Sequence, residues 1–344
     1  MARLLPLSPG LELEQAEKLR RTSIATDFER GVLLEDEVMG VKMPPTKFLL
    51  QNLITEKSIN LINGFREMGK SWLAMMIANE VTWGETGKVG PWRVGESVHT
   101  LLVDGEMPLS MVQDRLARMN KGRRKIRYKD SLLFIYPESY AYRIGLKRSN
   151  LLDPKWREAI SDVVHKHSIG LLILDNLSSL APGIDENVKM PFDPINRWML
   201  ELRFYGTTII LTHHVGKSGE QRGTTAHEDH LDTSLVLNRP ANYKRTDGCK
   251  FVCRVTKDRS MVTEGKQFTL QLCENKDGGL EFGVVADIGI DLACRELSGS
   301  PGLTEDEALD KGISHSTFHR AKDRLGLKKR KYEWKNGSNL NSEK

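Results

Sequence analysis

Continuous apolar runs mark the middle of the chain, and each is set off from the next by a longer stretch of helical period. Ser58–Asn63, Val98–Asp104, Leu132–Tyr136, Gly170–Asp175 and Thr207–His213 read as strands, and most intervals between them are long enough for a crossover helix. That order predicts an α/β fold with a mainly parallel, helix-covered sheet. Beyond His214, the strand-like pieces Leu231–Asn238, Lys250–Thr256 and Gln267–Leu272 follow one another without helices, which predicts an antiparallel extension at one edge. No internal repeat or low-complexity segment is found.

The flanks have a different character. Residues 1–45 hold a charged stretch, Leu11 to Arg21, that could be a short helix, and end at Pro44-Pro45; they read as an arm ahead of a core at 46–290. A small unit is expected at 300–332. Thr304-Glu305-Asp306-Glu307 has capping-box spacing and opens a helix through Leu309; Ser314 is a good cap for a second, His315 to Leu325, with Phe318, Ala321 and Leu325 on one face. Two short helices around Lys311-Gly312-Ile313 predict a helix-turn-helix presenting His315, Ser316, His319 and Arg320 to DNA, the bland alternative being a hairpin packed on the core or a partner. Residues 333–344 form a polar, basic tail expected to be disordered.

Composition narrows the classes. With 39% hydrophobic and 28% charged residues in 344, this is a soluble globular composition, and neither a membrane-length apolar run nor a secretory leader is seen, so a cytoplasmic protein without membrane contact is expected. Four cysteines (249, 253, 273, 294) without paired C-x-x-C spacing argue against a disulfide framework or a zinc ribbon. The net charge of +5 is unevenly spread: residues 311–344 carry ten Lys/Arg against three Asp/Glu. Arg115 to Lys129 adds eight cations and no acid, so either stretch could meet nucleic acid or simply be a solvated face.

The densest chemistry follows the first strand. Gly64-Phe65-Arg66-Glu67-Met68-Gly69-Lys70-Ser71 is a complete G-x-x-x-x-G-K-S loop, and Trp72 to Asn79 continues as a helix. Such a loop turns backbone N–H groups toward phosphates, with the lysine on the β/γ-phosphates and the serine on Mg²⁺, so ATP and Mg²⁺ are the expected ligands. The second strand delivers Asp104-Gly105-Glu106 to the same sheet edge: Glu106 is placed to activate a water, and Asp104 reads as structural. The fourth strand ends in Asp175, the expected Mg²⁺ partner of Ser71, and Asn176 and Ser178-Ser179 follow as edge or turn residues. The fifth ends in His213-His214, one of which should point into the site, His213 being favoured as the first residue after the strand. Farther along lie a glycine-rich loop, Gly216 to Thr225, and Lys257-Asp258-Arg259, whose two cations share a strand face and could enter a neighbouring subunit's site or form a solvated hairpin tip.

In this order the motifs resemble the RecA-like hexameric ATPases, most closely the AAA_25 or RepA-like family related to plasmid-encoded replicative helicases, over about Pro45 to Leu272. The resemblance implies a RecA-like P-loop NTPase fold, phosphate and Mg²⁺ binding through Lys70 and Ser71, Glu106 as base, Asp175 as the Walker B acid and His213 or His214 as γ-phosphate sensor. It also implies a DNA-facing Arg222-Gly223-Thr224-Thr225 segment and a trans-acting Lys257-x-Arg259 pair. One departure is the single Walker B acid, Asp175 being followed by Asn176, which leaves Glu106 as the only good base.

The leading expectation is therefore an ATP-hydrolysing ring motor on single-stranded DNA, a homo-oligomer and by resemblance a hexamer, with duplex contact through the terminal helices: a replicative helicase of a plasmid, phage or integrated element. The alternative is an ATP-switched DNA-binding regulator or initiator that unwinds nothing. A KaiC-like phosphotransfer protein ranks third, since no second acid accompanies Glu106.

Overall fold

The computed structural model describes residues 24, 26–123, 130–183, 192–214, 230–240, 243–260, 263–285, 294, 297–299, 303–310, 315–325 and 327. Two units are distinguished, Met1–Thr46 and Lys47–Lys344. The first contains α1 (Glu35–Gly40), with three acids in its first turn and no buried residue; the helix expected at Leu11–Arg21 lies outside the described residues.

The second unit is built on nine strands: β3 (Ile59–Gly64), β6 (Thr100–Asp104), β7 (Leu133–Pro137), β8 (Leu171–Asp175), β9 (Thr208–His214), β10 (Thr233–Asn238), β11 (Lys250–Asp258), β12 (Gln267–Glu274) and β13 (Leu280–Val285). Their order is β13-β12-β11-β10-β3-β9-β8-β6-β7. The six strands from β10 to β7 are parallel, and β11, β12 and β13 extend the sheet antiparallel beyond β10. The sheet therefore has the parallel body and antiparallel edge that the apolar pattern predicts. The sequence reading did not separate β13, nor two short hairpins beside the sheet, β1 (Phe48–Leu50) with β2 (Ile54–Thr55) and β4 (Lys88–Val89) with β5 (Trp92–Arg93).

Crossover helices divide the core in two. On one face lie α2 (Lys70–Val81) and α3 (Leu109–Met119), whose Leu73, Met76, Val112 and Met119 pack on Ile62, Leu102, Ile173 and Ile210. On the other, α5 (Pro154–Lys166), α6 (Leu177–Leu180) and α7 (Asp193–Tyr205) cover Leu61, Leu101, Leu172, Leu174, Ile209 and Leu211. Successive strand residues thus alternate between faces, while the continuous apolar runs reflect burial of both. Helix α2 is buried almost all round, as a helix gripped between sheet and hairpins must be. A short helix, α4 (Glu138–Arg143), follows β7 directly.

After β13, α8 (Glu305–Asp310) and α9 (His315–Arg324) share a small core of Leu297, Leu303, Ala308, Phe318 and Ala321. The capping box is formed: Thr304 N–H donates to Glu307 Oε2 (2.8 Å) and Glu307 N–H to Thr304 Oγ1 (3.4 Å). Leu325, expected on the buried face, is instead 36% exposed because α9 ends at Arg324. The turn at 311–314 and the tail at 333–344 lie outside the described residues. No helix among the described residues is long and apolar enough to cross a membrane.

Candidate active site

The carboxyl ends of β3, β6, β8 and β9 meet at one edge, above which the glycine-flanked loop runs from β3 into α2. Close packing explains its glycines. A Cβ on Gly64 would stand 2.8 Å from Leu237 O, and one on Gly69, at φ +89°, would stand 2.6 Å from Cys249 Sγ. Glu67 also holds a positive φ of 61°, a backbone cost that the surrounding loop sustains. Lys70 is 4% exposed, and its Nζ donates to Gly64 O (2.8 Å) and Phe65 O (2.6 Å). Burial lowers its pKa to about 8, although Asp175 and Glu106 pull the other way.

Three carboxylates at this edge have different surroundings. Asp175 is 3% exposed and accepts from Thr212 Oγ1 (2.5 Å) and from Ser71; burial raises its pKa, and those bonds and Lys70 oppose the rise. Asp104 is buried, and its Oδ1 accepts from the N–H groups of Glu106 (2.9 Å) and Met107 (2.8 Å), so it shapes the turn that carries Glu106. Its Oδ2 is buried without a hydrogen-bond partner, and burial raises its pKa to about 6. Glu106 is exposed at the edge, where Asn176 Nδ2 donates to its Oε2 at 2.6 Å. Asn176 in turn caps α6 through Ser179 N–H (3.0 Å). The residue that stands where a second acid was missed therefore orients the only exposed acid of the three.

The histidine preference is corrected. Thr212 reaches Asp175 on the α2 side of the sheet, and with a period of two His214 shares that face while His213 turns to the other. His213 is 5% exposed and lines a small apolar cavity with Ile59, Leu211, Phe192 and His230. His214 is half-buried, its Nδ1 makes no hydrogen bond, and burial with the nearby Lys70 charge lowers its pKa. Being first after the expected strand end was the wrong criterion, since β9 extends through His214.

A further cation escaped the sequence reading. Arg115, on α3, stacks 4.3 Å over the Trp72 ring, and its buried Nη1 has no hydrogen-bond partner. Asp175 and Asp104 both bear on its charge. The run Arg115 to Lys129 is thus not a uniform nucleic-acid face: Arg115 turns toward the site, and Arg123 pairs with buried Glu80 (2.8 Å) while covering Trp83. A Trp directly after the loop and an Arg on the next helix were the available signal. The Cys249 thiol, against Gly69, is pushed up to about 12 by burial, so it packs as a neutral group.

Other expected residues lie elsewhere. Lys257 and Asp258 pair with Ser234 and Thr233, which pair with Leu61 and Asn60, so Lys257 and Arg259 belong to the amino end of β3, away from their own phosphate loop. Arg259 is bound to Asp232 (3.1 Å), which also holds Arg203 (3.2 Å) and the Ile59 N–H (2.9 Å). His319 pairs with Glu305 (2.6 Å) and Arg320 is exposed; His315 and Ser316 lie in α9. Arg222 lies outside the described residues. Among those residues no group of three or more metal-ligating side chains is found.

The donor set fits a nucleotide triphosphate with a divalent cation. A G-x-x-x-x-G-K-S loop between strand and helix, an ammonium held on backbone oxygens, and a hydroxyl bonded to a buried carboxylate are what phosphates and a hard cation require. In comparison with known families, the AAA_25 family, an AAA domain, matches residues 24–220. No curated protein matches the sequence. Among solved structures, a KaiC-like protein from the hyperthermophilic archaeon Pyrococcus horikoshii OT3 is 17% identical, with a TM-score of 0.48 over 68% of this chain and 93% of that one.

Proposed function

The chain belongs to the AAA_25 family of AAA domains, and we propose that it hydrolyses ATP as a ring of its own copies moving on single-stranded DNA. The role is that of a RepA-like replicative helicase of a plasmid, phage or integrated element. The observation that carries the catalytic part is the convergence of Lys70, Asp175 and Glu106 at one sheet edge, with Glu106 exposed and oriented by Asn176.

Lys70 exchanges its two backbone carbonyls for β- and γ-phosphate oxygens, and loop N–H groups bind the rest of the chain of phosphates. Ser71 and Asp175 are the residues that would hold Mg²⁺, which when bound neutralises charge on the β- and γ-phosphates. Glu106 orients a water toward the γ-phosphorus and takes its proton. His214, on the same face as Thr212, hydrogen-bonds the γ-phosphate and relays its loss into the chain that follows β9. Arg115 and Trp72 flank the same loop, where a fixed cation meets the negative charge of the nucleotide. Arg259 and Lys257, remote from this site, act on a neighbour's.

DNA contact is assigned to the segment around Arg222 and to α9. The second reading, a DNA-binding regulator switched by ATP, draws on the separate core of α8 and α9. ATP turnover with no DNA, with single strands and with duplex, measured together with particle mass, separates the two. Strong stimulation by single strands in a ring-sized particle supports the motor. Indifference to single strands in a monomer or dimer selects the regulator, and no turnover under any condition removes both.

A further inference from the structure

Past the end of β7 the chain folds back on itself over residues 138–149. Pro137 stands level with Asp104, and Asp104 with Asp175, so this segment starts from the same sheet edge as the phosphate site. Buried Glu138 pins its two ends: Oε1 accepts from the Ser149 N–H (2.8 Å) and Oγ (3.1 Å), and Arg148 pairs with it (3.3 Å). Ser139 Oγ donates to Met107 O (2.8 Å), which ties the segment to the turn that carries Glu106. The N–H groups of Ile144, Gly145 and Leu146 close turns on the carbonyls of Tyr140, Tyr142 and Ala141. The backbone is thus ordered before any ligand arrives.

What that ordered backbone displays is apolar and basic. Ala141 is buried, whereas Tyr140 (39%), Tyr142 (70%), Ile144 (52%) and Leu146 (50%) are exposed, a concentration of apolar surface that marks a binding face. Residues 139–148 contain three cations, Arg143, Lys147 and Arg148, and no acid. Arg143 follows Tyr142 and lies 5.2 Å over the Tyr140 ring. The exposed aromatic pair Phe204 and Tyr205 lacks that complement, since Glu201 lies on the same helix and Arg203 is engaged by Asp232. Flat rings interleaved with cations match a ligand that alternates stacking faces with negative charge. We infer that Tyr140–Arg148 is a docking surface for single-stranded nucleic acid. Unpaired bases stack on Tyr142, and phosphates meet Arg143 and Lys147. A duplex keeps its base faces inside and offers only the second of these contacts. The surface is separate from the Arg222 segment and α9, and it rests on the single-strand part of the proposed function, not on its catalytic part.

The test measures fluorescence anisotropy of labelled oligodeoxythymidylate and oligouridylate with the full-length chain, Mg²⁺ and a non-hydrolysable ATP analogue. Tyr142→Ala should weaken binding about fivefold or more, and Tyr142→Trp, which keeps a stacking face, should retain it. Arg143→Ala with Lys147→Ala should weaken binding about tenfold and flatten the plot of log affinity against log salt by about 1.4, two phosphate contacts being lost. Binding of either oligonucleotide with these losses supports the assignment, and the ratio of the two affinities names the sugar. Unchanged thermal melting identifies variants that still fold. A wild type that binds neither oligonucleotide overturns the inference together with the single-strand reading. A wild type that binds while all three variants bind equally well overturns this surface alone. Variants that keep strand binding but lose adsorption to phosphatidylglycerol vesicles, or self-association in sedimentation velocity, overturn it in favour of a membrane or a second copy.

Discussion

Burial lowers the Lys70 pKa to about 8 against the pull of Asp175 and Glu106, which makes its charge titratable in an accessible range. Phosphate oxygens would return it toward ordinary lysine behaviour, so above about pH 8 binding ATP must take up a proton. The dissociation constant is then flat below about pH 8 and rises by up to about tenfold per pH unit above it. Isothermal titration from pH 7 to 9.5 checks this, and an affinity constant across the range would show that Lys70 stays charged when free. Asp104 offers the opposite sign. Its folded pKa lies above its unfolded one, so the cost of its buried charge is absent at low pH and fully present above about pH 6. Asp104→Asn keeps the Oδ1 acceptor for Glu106 and Met107 and should stabilise the chain by about 1–2 kcal/mol at pH 7.5, but not at pH 4, in thermal melts. Equal effects at both pH values would place its cost elsewhere. The sequence made Lys70, Ser71, Glu106 and Asp175 legible because their types and positions after apolar strands have a chemical reason. It could not show Asn176 holding Glu106, or Arg115 over Trp72, since those depend on which way side chains leave two different helices and loops.

At the scale of elements, the phosphate loop is packed against β10 and the start of β11 behind it. Gly69 faces Cys249 and Phe251, and Gly64 faces Leu237, so β10 and β11 brace the loop from the side away from β9. Gly69→Ala combines a positive φ with a contact that neither Cys249 nor Phe251 can relieve cheaply. It should lower stability by about 1–3 kcal/mol and weaken nucleotide binding more than Lys70→Arg does. Denaturant titration with and without nucleotide measures both effects; a wild-type Kd would mean that the loop relaxes without its edge. The parallel strands were readable because burial of both faces gives continuous apolar runs. The face of each histidine was not, because the alternation along β9 is anchored by Thr212 reaching Asp175, a contact between two strands. The separate strand β13 and the hairpins were missed for a related reason: pieces of two to six residues carry too little periodicity to declare themselves.

For the whole molecule, the placement of Lys257 and Arg259 decides what they can do. Asp258 stands level with Asn60, four residues before Gly64, so about 13 Å of strand separates this pair from the loop of its own chain. A phosphate contact by Arg259 must therefore be made on another copy, and Asp232 is the group that keeps its guanidinium in place until then. Arg259→Ala should reduce turnover by about 10³-fold or more if the contact stabilises the transferring phosphoryl group, while leaving analogue binding intact. Lys70→Ala should be inactive through loss of the loop. Mixed in equal amounts and allowed to exchange, the two variants form interfaces at random, and a working site needs the loop of one and the arginine of the other. Head-to-tail assembly then restores roughly a quarter of wild-type turnover. Turnover that stays at the level of the separate variants, in particles shown by mass to contain both, would place Arg259 in a structural role with Asp232 and Arg203, and would leave hydrolysis to the groups of a single chain.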